Sequence, residues 1–401
     1  GEKMKQIKLF DPAIGNNEKK VVNKILKSGF WASGSGSGYV QKFEQKFNDY
    51  IGSNACVAVN SGTAALHLAL NLENVKNKEV ILPSLSFVST AHAVLYNGGK
   101  PIFVDVDPET LCLDSEKIEK AITKKTSVIL PVHFGGMACD MSKISKIAKD
   151  HKLTIIEDAA HAAGTKYLNK KIGKHGKYVC FSFHPVKNLA MPTGGAITIN
   201  DKNFVSSANF LKSMRWCGIS NRKGTKYDIT NLGWNYYMNE LSAGIGIEQL
   251  KKLDENNNNR KNIAKRYSKE LDVGMKMKFE KDCSYHIFWI QVKNREKFMM
   301  KMKQEKIETG IHYLPIHKMS FYKKFSKKLK ITAIQGCNDK VSALKNLAKL
   351  ERLDLNRMLY IGNDLNDYNV MKICGYSACP ADSHEKIKKI STVTLNSIGG
   401  Q

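Results

Sequence analysis

The chain has 401 residues, 42% of them hydrophobic and 25% charged, which is enough apolar material for a large core and excludes a disordered chain. No stretch approaches the roughly 20 consecutive apolar residues of a membrane helix, and residues 1–20 carry Lys and Glu where a signal peptide has an apolar run. The expectation is a soluble, cytoplasmic protein of two or three domains. Lys+Arg number 63 against 37 Asp+Glu, a formal charge of +26. Such a balance suits a nucleic-acid partner, yet only seven of the 63 are Arg and the lysines are scattered in twos and threes. Bidentate phosphate forks and base readout favour Arg. DNA binding therefore rests on charge alone, and no nucleic acid is expected; a positive field also suits acidic small molecules.

The nine cysteines form no CxxC pair, so neither a disulfide framework nor a zinc site is indicated. Buried reduced thiols are expected.

In chain order, the predicted strands are Ala55–Val59, Glu79–Leu82, Pro101–Val104, Ser127–Pro131, Thr154–Glu157, Val179–Ser182 and Gly195–Ile199. Between them lie amphipathic stretches at Thr63–Asn71, Thr90–Asn97 and Met141–Lys152. This alternation predicts an α/β fold with a mostly parallel sheet between helices, with ligands at the carboxyl ends of the strands. Asn239–Asp254 reads as a helix and a second begins after it, so a domain joint is placed there. The expected division is 1–254 for a large domain, 255–330 for a smaller α+β domain with a strand at His286–Val292, and 331–401 for a C-terminal unit. The lysine-rich FYKKFSKKLK before Ile331 is a linker or a solvated helix.

Four constellations lie where strands end. Asn60-Ser61-Gly62-Thr63-Ala64-Ala65 opens an Ala/Leu-rich helix; its backbone N–H groups suit a phosphate, although a plain N-cap is the commoner use of such residues. Ile155-Ile156-Glu157-Asp158-Ala159-Ala160-His161 ends an apolar strand on two carboxylates. Alternation would bury one and expose the other, and a carboxylate among apolar neighbours needs a cationic partner to stay ionised, which a pyridinium nitrogen would supply. A capping acid beside a satisfied histidine is the plainer alternative. Lys187, in FSFHPVKNLAMPTGGAI, sits alone in a bend amid apolar residues, where desolvation would free its amine to attack a carbonyl carbon; a surface lysine is the ordinary alternative. Asn235, between aromatics in GWNYYM, is a cap or a ligand contact.

Together with FEQKFNDYIGSNACVAVNSGTAALHLAL, LPSLSFVSTAHAVLYNGGKPIFVDVDPETLCLD and LPVHFGGMACDM, these motifs resemble the DegT/DnrJ/StrS-type sugar aminotransferases over about residues 7–325. The resemblance implies a fold-type I, pyridoxal-phosphate-dependent transaminase. It would aminate a nucleotide-linked keto sugar with an amino acid, glutamate, as donor, in surface-glycan biosynthesis. It implies that Lys187 carries the cofactor and shuttles the proton, that Asp158 pairs with the pyridinium nitrogen, and that His161 lies near the phenolic oxygen. Phe87 would stack on the ring; Gly62, Thr63, Ala64 and Ser182 would hold the phosphate, with Asn235 reaching it from the neighbouring subunit of a homodimer. His312 and Tyr313 would lie by the sugar nucleotide. Met191-Pro192-Thr193 departs from the family's usual loop, and the family's last strand and helix are not found after Tyr313. A catalytically impaired fusion, serving as a ligand-binding and dimerisation platform, is the alternative.

The tail from Ile331 resembles the C-terminal half of haloacid-dehalogenase-type (HAD-like) phosphatases close to the 3-deoxy-octulosonate 8-phosphate phosphatases. By that resemblance Lys340 would neutralise a phosphoryl group and Asp364 and Asp367 would hold Mg²⁺. The DxD nucleophile such enzymes need is not found in residues 255–330, which implies a non-catalytic remnant or docking module.

Overall fold

The structure, a computed structural model, describes residues 6–323, 339–351 and 353–396. The chain divides into two compact units, Gly1–Lys323 and Lys324–Gln401. The expected start at Ile331, most of the lysine-rich segment and Cys337 lie outside the described residues.

In the first unit, helices α1 (Asn16–Ser28) and α2 (Tyr39–Ile51) lead into β1 (Ala55–Val59), α3 (Gly62–Leu72), β2 (Glu79–Pro83), α4 (Ser89–Tyr96) and β3 (Lys100–Val104). Then follow α5 (Ser115–Ala121), β4 (Thr126–Ile129), α6 (Met141–Asp150), β5 (Thr154–Asp158), a small hairpin of β6 (Lys166–Tyr167) and β7 (Lys170–Lys171), β8 (Tyr178–Ser182), β9 (Gly195–Ile199) and α7 (Phe204–Met214). Seven strands form one sheet in the order β1-β9-β8-β5-β4-β2-β3. Only β9 runs against the rest: it is antiparallel to both β1 and β8, whereas β8, β5, β4, β2 and β3 pair in parallel. Six strands therefore end on the same edge, and each of the seven strands expected for this sheet is present within a residue or two.

Helices cover both faces. One core joins Phe43 and Phe47 of α2 to Phe181 and Phe183, which meet Phe47 edge-on at 5.1 and 5.2 Å and fix the end of β8. The other gathers Ile81, Ile129, Phe134, Ile144 and Trp289. Double coverage corrects one expectation. Glu157 and Asp158 are both buried, at 1% and 4% exposure, because a parallel sheet sandwiched by helices has no solvent face to which alternation could send either. Glu157 finds its partner in His133, whose Nε2 lies 2.8 Å from Oε2. The Cys139 amide donates to His133 Nδ1, so the imidazole proton sits on Nε2 and donates to the carboxylate.

The two helices expected to meet at residue 254 are one. α8 runs unbroken from Glu240 to Glu270. Asparagine is only a modestly poor helix former, and Asn257 is buried, its amide donating to Ala163 O at 2.9 Å. The expected strand at His286–Val292 shrinks to Ile290–Gln291, paired with Met275–Lys276.

The second unit has a helix at Lys340–Glu351 and a three-stranded parallel sheet of Leu359–Ile361, Tyr376–Cys379 and Val393–Thr394. Its core is small, centred on Met371, Cys379 and Ile387. Among the described cysteines all are free; six are buried, Cys374 is half-buried and Cys217 is exposed. No described helix is long and apolar enough to cross a membrane.

Candidate active site

The carboxyl edge of the large sheet collects the predicted residues. β1 ends at Val59 and the chain turns through Asn60 into α3, with Ser61 extended and its hydroxyl accepting from the Ala64 amide at 3.1 Å. This is a true N-cap. It leaves the amides of Gly62 and Thr63 at the positive end of an 11-residue helix, suited to a phosphate. Gly62 is needed by contact: a Cβ there would stand 2.7 Å from Cβ of Ser182, so the helix start and the end of β8 can meet only around glycine. Gly195 is held likewise, against the Ser61 carbonyl. The Thr63 hydroxyl lies 2.7 Å from that of Ser89 at the start of α4.

Asp158, at the end of β5, accepts from Thr90 Oγ1 at 2.9 Å and from the Ala160 amide at 3.1 Å. Burial pushes its carboxyl above the ordinary range, and those hydrogen bonds and the field of Lys187 only partly offset it. Lys187 follows β8 in the bend closed by its own amide on the His184 carbonyl at 2.8 Å. Burial lowers its pKa to about 8 against the pull of Asp158. His161 accepts the Gly135 amide at Nδ1, 3.2 Å, so Nε2 carries its proton, and Nε2 lies 3.1 Å from the Tyr313 phenol. Burial, reinforced by Lys187 and His312, keeps His161 neutral far below its usual pKa. Phe87, largely exposed, tilts against Tyr313 with ring centres 5.8 Å apart. His312 lies edge-on to Tyr313 at 5.1 Å, and burial lowers its pKa.

Asn235 is exposed, and its backbone carbonyl receives Asn60 Nδ2 at 3.4 Å within its own chain, beside the phosphate-suited turn. The Thr193 hydroxyl donates to Asn60 O, so the atypical Met191-Pro192-Thr193 loop buttresses the same turn. Three participants escaped the sequence: Thr90, Asn188 and His286. Asn188 is buried; its amide bonds Asn257, Ser284 O and His286. Thr90 is visible in the sequence as a helix residue, but its partner is 68 positions away.

In the second unit, Asp367 is spoken for. Its Oδ1 receives Lys340 Nζ at 2.6 Å and the Tyr360 hydroxyl at 3.0 Å, and its Oδ2 the amides of Asn363 and Asp364. Burial resists its ionisation, but these donors outweigh burial and hold its pKa low. Asp364 instead caps Leu365. The expected Mg²⁺ pair is thus not formed: one carboxylate is saturated by protein donors and the other turns to a backbone amide. Among the described residues no group of three or more His, Cys, Asp or Glu is arranged to hold a metal.

Pyridoxal phosphate fits the residues of the first unit. The buried Asp158 has one hydroxyl and one amide as hydrogen-bond partners and no cation in ion-pair contact among the described residues, the complement a pyridinium nitrogen would complete. A neutralisable amine at Lys187 and a capped helix start complete the donor set. Sheet, amine and acid together define the class, a fold-type I pyridoxal-phosphate-dependent aminotransferase. The chain belongs to the DegT/DnrJ/EryC1/StrS aminotransferase family, whose model matches residues 12–358.

That span runs past residue 325, where the resemblance was expected to stop, and into the second unit. The chain is 36% identical over 331 residues to the spore coat polysaccharide biosynthesis protein SpsC of Bacillus subtilis, covering 78% of this chain and 84% of SpsC. It is 32% identical over 372 residues to GDP-perosamine synthase of Escherichia coli O157:H7, covering 91% of this chain and 99% of that enzyme. Among solved structures it resembles DesV of S. venezuelae, in complex with a ketimine intermediate, at TM-score 0.72 and 29% identity over 83% of this chain and 86% of DesV.

Proposed function

We propose that the protein transfers an amino group from an amino acid, glutamate, to a keto sugar carried on a nucleotide, in the making of a surface glycan. The observation that carries this reading is the desolvated Lys187, held neutral at a fraction useful near pH 7 beside a buried Asp158. When bound, pyridoxal phosphate supplies an electron sink for breaking and forming bonds at the amine-bearing carbon. Asp158 would hold the pyridinium proton, and Thr90 holds Asp158. Lys187, released from covalent duty, would carry the proton between cofactor and substrate carbon. His161 has its Nε2–H fixed by the Gly135 amide, so it is set to donate to the phenolic oxygen. Gly62, Thr63, Ala64 and Ser182 would receive the phosphate, and Phe87, largely exposed, would stack on the ring. His312 and Tyr313 would face the sugar nucleotide. The exposed Asn235 would serve the phosphate site of a second copy in a homodimer.

The relatives support the substrate class: one is named for a GDP-linked amino sugar and another for polysaccharide biosynthesis. The +26 charge is in keeping with an anionic nucleotide diphosphate. The expected phosphatase-like tail gains no support, since the aminotransferase family model runs on to residue 358, and the C-terminal unit enters as a non-catalytic module in which Lys340 and Asp367 satisfy each other.

The test is spectroscopic. Protein loaded with pyridoxal phosphate should change its visible absorbance on adding glutamate and recover it on adding a nucleotide-linked keto sugar. An unchanged spectrum, or the same cycle in Lys187→Ala, overturns the reading.

A further inference from the structure

His286 lies between α8 and Ile290, and its ring is half-buried. Its Nδ1 is 3.1 Å from Asn188 Oδ1. The orientation of that amide is fixed independently, because Asn188 Nδ2 stands 2.8 Å from the Ser284 carbonyl, which can only accept. The oxygen must therefore face the imidazole, and Nδ1 must bear the proton. Burial keeps the ring neutral, with His161, Lys187, Arg260 and His312 pushing the same way. A neutral ring protonated at Nδ1 has a bare lone pair at Nε2.

The neighbouring ring is its opposite. His161 and His286 lie with centres 4.4 Å apart, tilted by 39°. His161 is protonated at Nε2, as its contact with the Gly135 amide requires. Beside Lys187 the protein thus presents two neutral imidazoles in complementary tautomers, one a donor and one an acceptor. An acceptor lone pair repels a carboxylate and receives a hydroxyl.

Resting on the reading given under Proposed function, the geometry points to His286 as a residue that binds the sugar rather than the amino donor, Nε2 accepting a hydrogen bond from a ring hydroxyl. Asn188, next to the cofactor-bearing lysine, is the positioning residue that sets its tautomer.

Two substitutions separate the ring's nitrogens. His286→Asn keeps an amide near Nδ1 and loses Nε2; His286→Gln carries an acceptor out towards Nε2. Both half-reactions can start from the pyridoxal-phosphate form, one with glutamate and one with GDP-perosamine run in reverse, each followed by cofactor absorbance in single turnover. In His286→Asn the GDP-perosamine step should slow about tenfold or more, the loss of roughly one hydrogen bond, while the glutamate step changes less than about twofold. His286→Gln should recover most of the loss. Equal slowing of both steps, or no recovery in His286→Gln, overturns the assignment. Nitrogen-15 NMR of the histidines decides it independently of turnover. The wild-type holoenzyme should show His286 protonated at Nδ1, with an Nε2 signal that moves when GDP-perosamine binds. An Nε2–H tautomer, or an Nε2 signal unmoved with the sugar nucleotide bound, overturns it. Failure of wild type to react with glutamate would instead count against the aminotransferase reading, leaving the NMR result to judge His286.

Discussion

Thr90 on α4 donates its hydroxyl to Oδ2 of Asp158, 2.9 Å away at the end of β5. The same oxygen of Thr90 lies 2.7 Å from the Ser86 hydroxyl, so the acid is held by the turn that also carries Phe87. A buried carboxylate depends on such donors to remain ionised. Thr90→Val removes one at nearly constant volume. We expect transamination to fall about tenfold, near 1.5 kcal/mol for a hydrogen bond to a charged group, with thermal stability little changed. A variant of unaltered kcat would show that Asp158 is ionised without Thr90.

Lys187 sets a pH dependence. Its amine attacks only when deprotonated, and burial lowers its pKa to about 8. The rate at which cofactor-free protein takes up pyridoxal phosphate should therefore rise with pH and level off above about 8. An ordinary lysine would climb to about 10.4. The same shift opposes stability on the acid side. A lysine whose folded pKa is depressed destabilises the fold fully below about 8, and that penalty fades as pH rises towards the unfolded value. A loading profile with its midpoint near 10 would contradict the burial of this amine.

Gly62→Ala should fold yet bind the cofactor more weakly, by about tenfold or more. The added Cβ would meet Ser182 at 2.7 Å and push the start of α3, with its phosphate-facing amides, off the end of β8. Equilibrium titration with pyridoxal phosphate reads this directly; unchanged affinity would place the phosphate elsewhere.

Glu157 and His133 are a stabilising rather than a chemical pair, both fully enclosed. Glu157→Ala leaves the neutral imidazole's N–H without its acceptor and should cost about 2 kcal/mol of stability, the range for a buried donor left unsatisfied. Denaturant unfolding measures it.

The C-terminal unit should release no phosphate from sugar phosphates in Mg²⁺, because Asp367 is saturated by Lys340, Tyr360 and two amides. Mg²⁺-dependent release abolished by Asp364→Ala would contradict the non-catalytic assignment.

Local pattern carried far in this chain. The strands were legible because each is a short apolar run bounded by turn residues, and the four strand-end motifs were legible because the parallel sheet delivers its loops to one edge. What the sequence hid was non-local. Period-two alternation suggested an exposed carboxylate on β5, but helices cover both faces and both acids are buried. Two helices were read on either side of residue 254, but the chain stays in one helix there, with tertiary contacts of Asn257 holding it. Asp364 and Asp367 looked like a metal pair until Lys340, 27 residues before Asp367, proved to occupy it. His286 gave no signal, since its chemistry is set by an amide 98 positions away.

In the proposed reaction amino nitrogen passes from an amino acid to a sugar nucleotide by way of the cofactor, with Lys187 carrying the protons. Incubating the holoenzyme with ¹⁵N-glutamate and a nucleotide-linked keto sugar, then weighing the sugar nucleotide by mass spectrometry, tests it most directly. The account predicts an amino sugar carrying the label from wild type and none from Lys187→Ala. Unlabelled sugar from wild type, or equal labelling by both proteins, would contradict it.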